Sequence, residues 1–304
     1  LTTLAMETIA QLLFSCALDH AAEPTAQAVQ TVLAASQAEL YWPASWPDWL
    51  PWKRAKRQAR LLLDGLIQRQ LQARLALPDK AWPDDLLSRW LRLHRADATA
   101  WPLTAVRDEC MTTFLAGHET TAATLAWWAW ELACHPQAQA DARAEVVQVL
   151  QGRVPCAADL PALPRLRHSL EETLRLHPAA PVLSTRRAIR PVTLGPWRLP
   201  AGTLFLLPIQ LLHHDPRQFD APRGFCPERF ATAPASTHPA YQPFGNGPRV
   251  CLGQHLAMTE MPLIAAMLLQ RMQLRVADGV SAPQAVLKIS QRPEPGVWVQ
   301  LAPV

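Results

Sequence analysis

Apolar residues recur every three or four positions from residue 1 to about residue 150, which is the spacing of one face of an α-helix. The opening segment LTTLAMETIAQLLFSCALD predicts an amphipathic helix, and a longer apolar pattern predicts a helix over residues 106 to 133. This half of the chain is therefore predicted to be mainly helical. Prolines separate the predicted helices at Pro24, Pro43, Pro47, Pro51, Pro78, Pro83, Pro102 and Pro136.

The period changes after the segment LPRLRHSLEETLRLHP, which predicts a helix ended by Pro178. The stretch RPVTLGPWRLPAGTLFLLPIQ contains short β-like runs broken by glycine and proline. The last twenty residues predict a hairpin that turns at residues 293 to 296. No break in composition accompanies the change of period. We predict a mainly α fold with small β-sheets in a single domain, α-rich over residues 1–180 and mixed α/β over residues 181–304.

Composition narrows the class of protein. The 304 residues are 49% hydrophobic, enough for a large core, and the net charge of +4 has no run of like charge that would indicate nucleic-acid binding. The six cysteines are widely spaced, unlike a secreted disulfide framework, and no uncharged apolar run is long enough to span a membrane. We predict a soluble, cytoplasmic protein without a transmembrane segment and without a nucleic-acid partner.

One loop stands out chemically. The segment FGNGPRVCLG places Cys251 after two glycines, Gly245 and Gly247, and just before a predicted helix. Glycine permits backbone conformations closed to other residues, and the start of a helix stabilises a thiolate over a thiol. Cys251 is thus a candidate metal ligand or nucleophile, and Arg249 is suited to pair with a carboxylate.

Three other interpretations of Cys251 are open at this point. A lone cysteine is most often a small buried hydrophobe. Zinc is a second possibility because His255 follows four positions later, although zinc needs about four ligands and no second close pair is present. Nucleophilic catalysis would need a partner histidine, which the segment itself does not supply.

The loop resembles the heme-binding loop of the cytochrome P450 family. Three further motifs occur in that family's order: AGHETT at residues 116–121 in the long helix, ETLR at residues 172–175, and PERF at Pro227–Phe230. The fixed residues match at every position, and the resemblance covers essentially the whole chain. It implies a cytochrome P450 fold, which is mainly α with small β-sheets.

The resemblance implies that Cys251 is the axial thiolate ligand of the iron of heme b, iron protoporphyrin IX. It also implies that Gly117 lets the distal face of the heme come close to the long helix. The implied cofactor contacts are Phe244, Gly245, Gly247, Arg249, Cys251, Gly253 and Ala257 near the cysteine, Ala116 and Gly117 on the long helix, and Arg186, with Arg187 as the alternative.

Two residues are implied to be catalytic. By resemblance, Glu119 and Thr120 deliver protons on the side of the heme opposite the cysteine; the alternative for Thr120 is a hydroxyl that hydrogen-bonds its own helix backbone. By resemblance, Glu172 and Arg175 form a buried network with Arg229 that holds the heme-binding loop; the alternative for the pair Glu172 and Arg175 is a solvated surface contact.

The implied activity is that of a monooxygenase that acts on paired donors, using dioxygen and a hydrophobic small-molecule substrate. No flavin or ferredoxin motif occurs in the sequence, so the electrons would come from a separate ferredoxin or flavodoxin-type donor with an NAD(P)H reductase. Residues near Thr112, Ala116, 180–183 and 289–290 are expected to line the substrate pocket. The alternative is a non-catalytic fragment that binds heme poorly or not at all.

Family members are longer, so the resemblance implies that this chain begins about a third of the way into the family's fold. The tryptophan-rich segment YWPASWPDWLPW, residues 41–52, falls where the family connects two helices near the substrate entrance. We expect it to pack against neighbouring helices, with contact to a membrane surface or gating of substrate entry as the alternatives.

Overall fold

The computed structural model describes residues 1–40, 46–288 and 290–304. It is helix-rich with small sheets, as predicted. The chain divides into two compact units, Leu1–Ala122 and Ala123–Val304, and the boundary lies inside one long helix. The α-helices among the described residues are α1 (Thr2–Phe14), α2 (Ala22–Leu40), α3 (Arg54–Leu75), α4 (Leu86–Ala96), α5 (Leu103–Cys134), α6 (Pro136–Leu150), α7 (Pro164–Leu176), α8 (Ile209–His213) and α9 (Gln254–Arg271).

The first unit is built from packed amphipathic helices. Helix α1 packs against α2 and α4, and α2 packs against α3. In α3 the buried residues Leu63, Ile67 and Leu71 follow each other at intervals of four, which forms one apolar stripe. The rings of Phe14 and Phe114 lie 6.0 Å apart in its core. The helical pattern of the sequence therefore predicted this unit well.

Helix α5 is the long helix that the sequence predicted over residues 106 to 133. It begins three residues earlier and ends one residue later, at Cys134, and it passes through Gly117 without a break. His135 and Pro136 then start α6, because proline fits the first turn of a helix and cannot continue the previous one.

The second unit has its core between α6, α7 and α9, which pack against one another. Gln139 of α6 is buried and fixes this core to a strand. Its side-chain nitrogen donates to the carbonyl of Leu274 at 2.9 Å, and its oxygen accepts from the Leu274 backbone N–H at 2.8 Å. Glu145 of α6 accepts the backbone N–H groups of Arg165 and Leu166 at the start of α7, both at 3.0 Å. These contacts set the position of α7, which carries the ETLR motif.

The strands begin at Leu183 and form small antiparallel sheets of two strands each within the described ranges. The strands are β1 (Leu183–Arg187), β2 (Val192–Leu194), β3 (Trp197–Leu199), β4 (Leu204–Leu207), β5 (Met272–Val276), β6 (Gln284–Leu287), β7 (Gln291–Glu294) and β8 (Val299–Pro303). The sheets pair β1 with β4, β2 with β3, β5 with β8, and β6 with β7.

The predicted hairpin at residues 293 to 296 is wrong. Strand β7 pairs with β6, with Leu287 opposite Gln291, rather than with the strand that follows it. The last strand, β8, pairs instead with β5, the strand that follows α9. The reason is that tertiary packing within the second unit, rather than the turn residues next to it in sequence, decides which strand β8 pairs with.

The tryptophan-rich segment differs from the packed loop that was expected. Residues 41–45 lie outside the described residues. In the remainder, Trp46, Trp49 and Trp52 are 50%, 72% and 62% exposed. Prolines at 47 and 51 keep this part out of a long helix. The packing interpretation therefore does not hold for these three tryptophans.

Candidate active site

The loop before Cys251 folds back on itself through backbone hydrogen bonds. The Cys251 N–H donates to the carbonyl of Phe244 at 2.9 Å, and the Gly245 N–H donates to the carbonyl of Gln242 at 3.1 Å. Gly245 and Gly247 have φ of 72° and 71°, which is left-handed backbone. Side chains with a Cβ rarely adopt such values, so this turn requires glycine at both positions.

The loop presents Cys251 at the surface, three residues before the first residue of α9. The neighbouring Leu252 is 88% exposed, while Phe244 packs against the core of the second unit. The burial interpretation of Cys251 is therefore excluded. Among the described residues, no group of three or more histidine, cysteine, aspartate or glutamate side chains is arranged to hold a metal ion, which leaves zinc without a ligand set.

Three further residues near the cysteine, Arg249, Ala257 and Gly253, were predicted to contact the cofactor. Arg249 lies at the end of a short 3₁₀ turn, Gly247–Arg249, and is exposed. Ala257 is half-buried on α9, where its N–H donates to the carbonyl of Gly253 at 2.9 Å. Gly253 has no left-handed backbone, and a Cβ there would meet the Cys251 sulfur at an ordinary 3.8 Å. Neither backbone nor space therefore requires glycine at residue 253.

Arg186 and Arg187, the two candidates from the STRRA segment, both lie in β1. They pair with Phe205 and Leu204 of β4, and successive side chains of a strand point to opposite faces. Arg186 is half-buried and Arg187 is exposed. Only one of them can therefore face a given ligand, and the choice of Arg186 stays a prediction.

The ETLR motif of α7 forms a fully buried ion pair. The Arg175 Nε and Nη2 atoms donate to the two oxygens of Glu172, both at 2.8 Å, in a bidentate geometry. The remaining Arg175 donors reach the carbonyls of His213, Pro222 and Gly224 at 2.8, 2.6 and 3.0 Å. All the N–H groups of this guanidinium are therefore used, which is the condition under which a buried charge is tolerated.

Arg229 of the PERF motif joins the same centre. Its Nε lies 3.2 Å from Glu172, and its Nη1 donates to the carbonyl of Asp220 at 2.7 Å. The Cys226 backbone N–H donates to Glu172 at 3.0 Å. The structure thus brings Glu172, Arg175 and Arg229 together, and this centre fixes the segment of chain that leads towards the cysteine loop.

The AGHETT motif lies on α5. Ala116 and Thr120, together with Thr112 one turn earlier, form an exposed stripe at four-residue spacing, whereas Glu119 is buried. The Thr120 hydroxyl donates to the carbonyl of Ala116 at 3.1 Å. This is the helix-backbone contact that was the alternative for Thr120, and it leaves the hydroxyl on the exposed side of the helix.

Gly117 has a different neighbour from the one the sequence implied. A Cβ built at this position would lie 2.6 Å from Cδ1 and 2.7 Å from Cγ1 of Ile9 on α1. Ile9 is buried, so the space beside Gly117 is filled by this side chain. The absence of a side chain at Gly117 serves the packing of α1 against α5, rather than the close approach of a ligand that was expected.

Sequence reasoning missed two residues beside the site. His213 is fully buried and hydrogen-bonds both Arg175 and Gln242. The two residues that were missed, His213 and Gln242, belong to no motif, and their contacts join positions far apart in the chain. No signal in the sequence could have paired them.

Comparison with known proteins identifies the family. The family model described as Cytochrome P450 matches residues 1–299. Cyclooctat-9-en-7-ol 5-monooxygenase of Streptomyces melanosporofaciens is 36% identical over 231 residues, which cover 75% of this chain and 49% of that protein. Cytokinin hydroxylase of Arabidopsis thaliana is 34% identical over 248 residues, covering 81% and 48%. This chain belongs to the cytochrome P450 family, and it spans about half the length of these relatives.

Solved structures agree with this assignment. A zebra fish cytochrome P450 determined with progesterone superimposes with a TM-score of 0.86 and 29% identity, covering 99% of this chain and 70% of that one. A second zebra fish structure, with abiraterone, gives 0.83 and 30% identity, covering 100% and 70%. Across the described residues, membrane-spanning helices of sufficient length and hydropathy are not found.

Proposed function

We propose that this chain carries the heme-thiolate centre of a monooxygenase that inserts one oxygen atom of dioxygen into a hydrophobic organic substrate. The observation that carries the proposal is the exposed Cys251, presented by a glycine turn ahead of α9. A thiolate at the start of a helix is stabilised by the free N–H groups and the positive end of the helix dipole. Cys251 would therefore supply the thiolate that holds the iron of heme b.

The other residues near the cysteine fit the same cofactor. Arg249 is an exposed guanidinium two residues before the ligand, placed to bind a carboxylate such as a heme propionate. Arg186 is proposed for the second propionate. Gly245 and Gly247 keep their side of the loop free of side chains, which suits a flat ligand. When bound, heme would supply the activation of dioxygen.

The chain's own contribution to proton delivery is proposed for α5. The Thr120 hydroxyl lies on the exposed side of the helix, where it donates to the Ala116 carbonyl. By rotating, the same hydroxyl could instead donate a hydrogen bond to a bound ligand or accept one from it. Glu119, one residue earlier, is buried and is proposed to pass protons towards Thr120. The exposed stripe of Thr112, Ala116 and Thr120 is small and weakly polar, which favours an apolar substrate.

The names of the two relatives support a reaction class rather than one substrate, because one name specifies cyclooctat-9-en-7-ol and the other a cytokinin. Electrons are proposed to come from a separate ferredoxin or flavodoxin-type protein with an NAD(P)H reductase. The six cysteines are free thiols, which is consistent with the reducing, cytoplasmic setting that we predict.

The test is the absorption spectrum of the purified chain, supplied with heme, reduced and exposed to carbon monoxide. We expect the red-shifted Soret band of thiolate ligation. Cys251→Ser should abolish this band, while Cys156→Ser, which changes another exposed cysteine, should leave it intact. A Cys251→Ser protein that keeps the band would overturn the assignment of the ligand. A wild-type chain without heme absorption would favour the non-catalytic fragment.

A further inference from the structure

His213, the last residue of α8, lies fully buried between α7 and the segment that leads into the cysteine loop. Its Nδ1 atom is 3.0 Å from the Arg175 carbonyl oxygen. Its Nε2 atom is 2.9 Å from the Gln242 backbone nitrogen. One imidazole ring therefore spans the gap between the ETLR helix and the start of the loop.

The contacts determine the protonation state of this ring. A backbone N–H can only donate, so the Nε2 atom of His213 must accept from Gln242. The Nδ1 atom then carries the proton and donates it to the Arg175 carbonyl. The ring is consequently neutral, in agreement with burial, which lowers its pKa to about 4. Arg175 completes the link by donating from Nη1 to the His213 carbonyl at 2.8 Å.

The link continues from Gln242 to the cysteine through two more hydrogen bonds already described. The Gln242 carbonyl accepts from Gly245, and the Phe244 carbonyl accepts from Cys251, at 3.1 and 2.9 Å. The His213 ring also stacks on Tyr241, with centroids 5.6 Å apart and an interplanar angle of 13°. An uninterrupted series of short contacts thus runs from Arg175 to the Cys251 backbone.

We propose that His213 is a positioning residue that holds the Cys251 loop in register with α7 through its hydrogen bond to Gln242. The proposal rests on the assignment of Cys251 as the heme ligand. The Glu172 centre fixes the chain only as far as Cys226 and Arg229, so it does not itself reach the cysteine loop. Tyr241 ties the same stretch to α7 through its hydroxyl, which donates to the Glu171 carbonyl at 3.1 Å, and His213 adds a contact at the Gln242 backbone itself.

Three variants of His213 separate its two hydrogen bonds. His213→Phe keeps a ring for stacking and removes both bonds. His213→Gln places an amide oxygen near the position of Nε2 and can still accept from Gln242, whereas His213→Asn places its amide near Nδ1 and can only replace the bond to Arg175. The matched control is His238→Phe, because the His238 ring stacks on Phe219 and its hydrogen bonds among the described residues go to Gln218 and Ala240 rather than to α7.

The first measurement is amide hydrogen exchange of the full chain without heme. In His213→Phe we expect the Gln242 and Cys251 amides to exchange roughly tenfold faster, the consequence of losing the hydrogen bond that holds the half-buried Gln242 amide. Exchange in α6 should stay unchanged. His213→Gln should restore most of the protection, and His213→Asn should not.

A uniform increase in amide exchange along the chain would indicate a general loss of stability and would count against a positioning role. Equal exchange rates in His213→Gln and His213→Asn would overturn the proposed route through Gln242. When the same variants are supplied with heme, reduced and exposed to carbon monoxide, His213→Phe and His213→Asn should lose most of the red-shifted Soret band. His213→Gln should lose the least. Since exchange is read without heme, a wild-type chain that binds no heme would refute the proposed function and still leave the role of His213 decided.

Discussion

Each unit of the chain contains a buried arginine paired with a carboxylate, and the two centres are built differently. In the first unit, Arg74 at the end of α3 donates from Nη1 to Asp85 at 2.7 Å and from Nη2 to the Phe14 carbonyl at 2.9 Å. In the second unit, Arg175 donates to Glu172 and to three carbonyls. Both pairs are shielded from water.

The carboxylates mark the difference. Glu172 lies inside a helix, and its partners among the described residues are two arginines and the Cys226 amide. Asp85 is the N-cap of α4, accepts the Ser88 N–H at 2.8 Å, and leaves its Oδ2 atom without a partner among the described residues. Burial raises the pKa of Asp85, but hydrogen bonds from Arg74 and Ser88 outweigh it and lower the pKa.

Burial alone does not rank such pairs by stability. Asp85 retains the helix dipole and a backbone donor if its arginine is removed. Glu172 lies inside a helix, so it keeps the Cys226 N–H but lacks the helix dipole, and its centre depends more strongly on the two arginines. We propose that this centre supports the heme loop indirectly, through the chain that it fixes at Cys226 and Arg229. Disrupting the Glu172 centre should therefore lower the free energy of unfolding more than disrupting the pair of Arg74 and Asp85 in the first unit.

The largest effect is expected for Glu172→Ala. Removing this carboxylate leaves the buried Arg175 and the half-buried Arg229 without a counter-charge, at a cost of about 3–5 kcal/mol in the free energy of unfolding. Urea unfolding should show this loss, and the purified protein should retain little heme. The matched control is Glu171→Ala: Glu171 is also buried, but its partner Arg167 is exposed and stays solvated when the carboxylate is removed, so the loss should be clearly smaller than for Glu172→Ala. Normal heme content in Glu172→Ala would contradict the ranking.

A pH series tests whether His213 belongs to the same centre. Its pKa of about 4 in the folded chain lies below the ordinary value of 6.5, first because of burial and further because the positive charge of Arg175 and the nearby His214 and His238 oppose protonation. The unfolded chain therefore binds the proton first. The stabilisation is complete above pH 6.5 and is lost as the pH falls towards 4.

Each pKa unit is worth about 1.4 kcal/mol, so this loss reaches up to ~3 kcal/mol. His213→Phe lacks the titrating group. The difference in free energy of unfolding between wild type and this variant should shrink by that amount between pH 7 and pH 4, as measured by urea unfolding. His238→Phe keeps the titrating His213 ring and removes only the smallest of the charges that oppose its protonation, so it should lose most of the same stabilisation over this pH range. A constant difference between wild type and His213→Phe would remove His213 from the buried centre.

A smaller effect is expected for Arg74→Met, which removes the arginine of the first unit. Asp85 keeps its cap bond to Ser88, so we expect a loss of about 2 kcal/mol in the free energy of unfolding. Arg89→Met is the control, because the pair of Arg89 with Asp84 at the same helix start is exposed and should contribute almost nothing. Equal losses of unfolding free energy in Arg74→Met and Glu172→Ala would show that the two centres do not differ in the way proposed.

The sequence predicted what depends on neighbours in the chain. The long helix α5 follows from a local apolar period, and the pairing of Glu172 with Arg175 follows from their spacing of three on a helix. The glycine turn before Cys251 follows from the glycines themselves, which adopt left-handed backbone. These features could be predicted because their physical cause lies within a few residues.

What escaped prediction depends on residues distant in sequence. His213 bridges Arg175, 38 residues away, and Gln242, 29 residues away, and only the folded chain brings the three together. Strand β8 pairs with β5 rather than with its neighbour in sequence for the same reason. The neighbour of Gly117 is a third case, since Ile9 lies on another helix.

Gly117→Ala tests the contact with Ile9. It has the smallest expected effect, because two contributions of opposite sign to the free energy of unfolding partly cancel at this position. Alanine favours a helix interior over glycine by about 1 kcal/mol, but its methyl group would collide with the buried Ile9 side chain, which costs about 1–3 kcal/mol. We expect a net loss near 1 kcal/mol in thermal or urea unfolding. In an Ile9→Ala background the collision disappears, so the same substitution should become stabilising. If Gly117→Ala had the same sign in both backgrounds, contact with Ile9 would not be the reason for glycine at this position, and the close approach of a ligand would again be the better explanation.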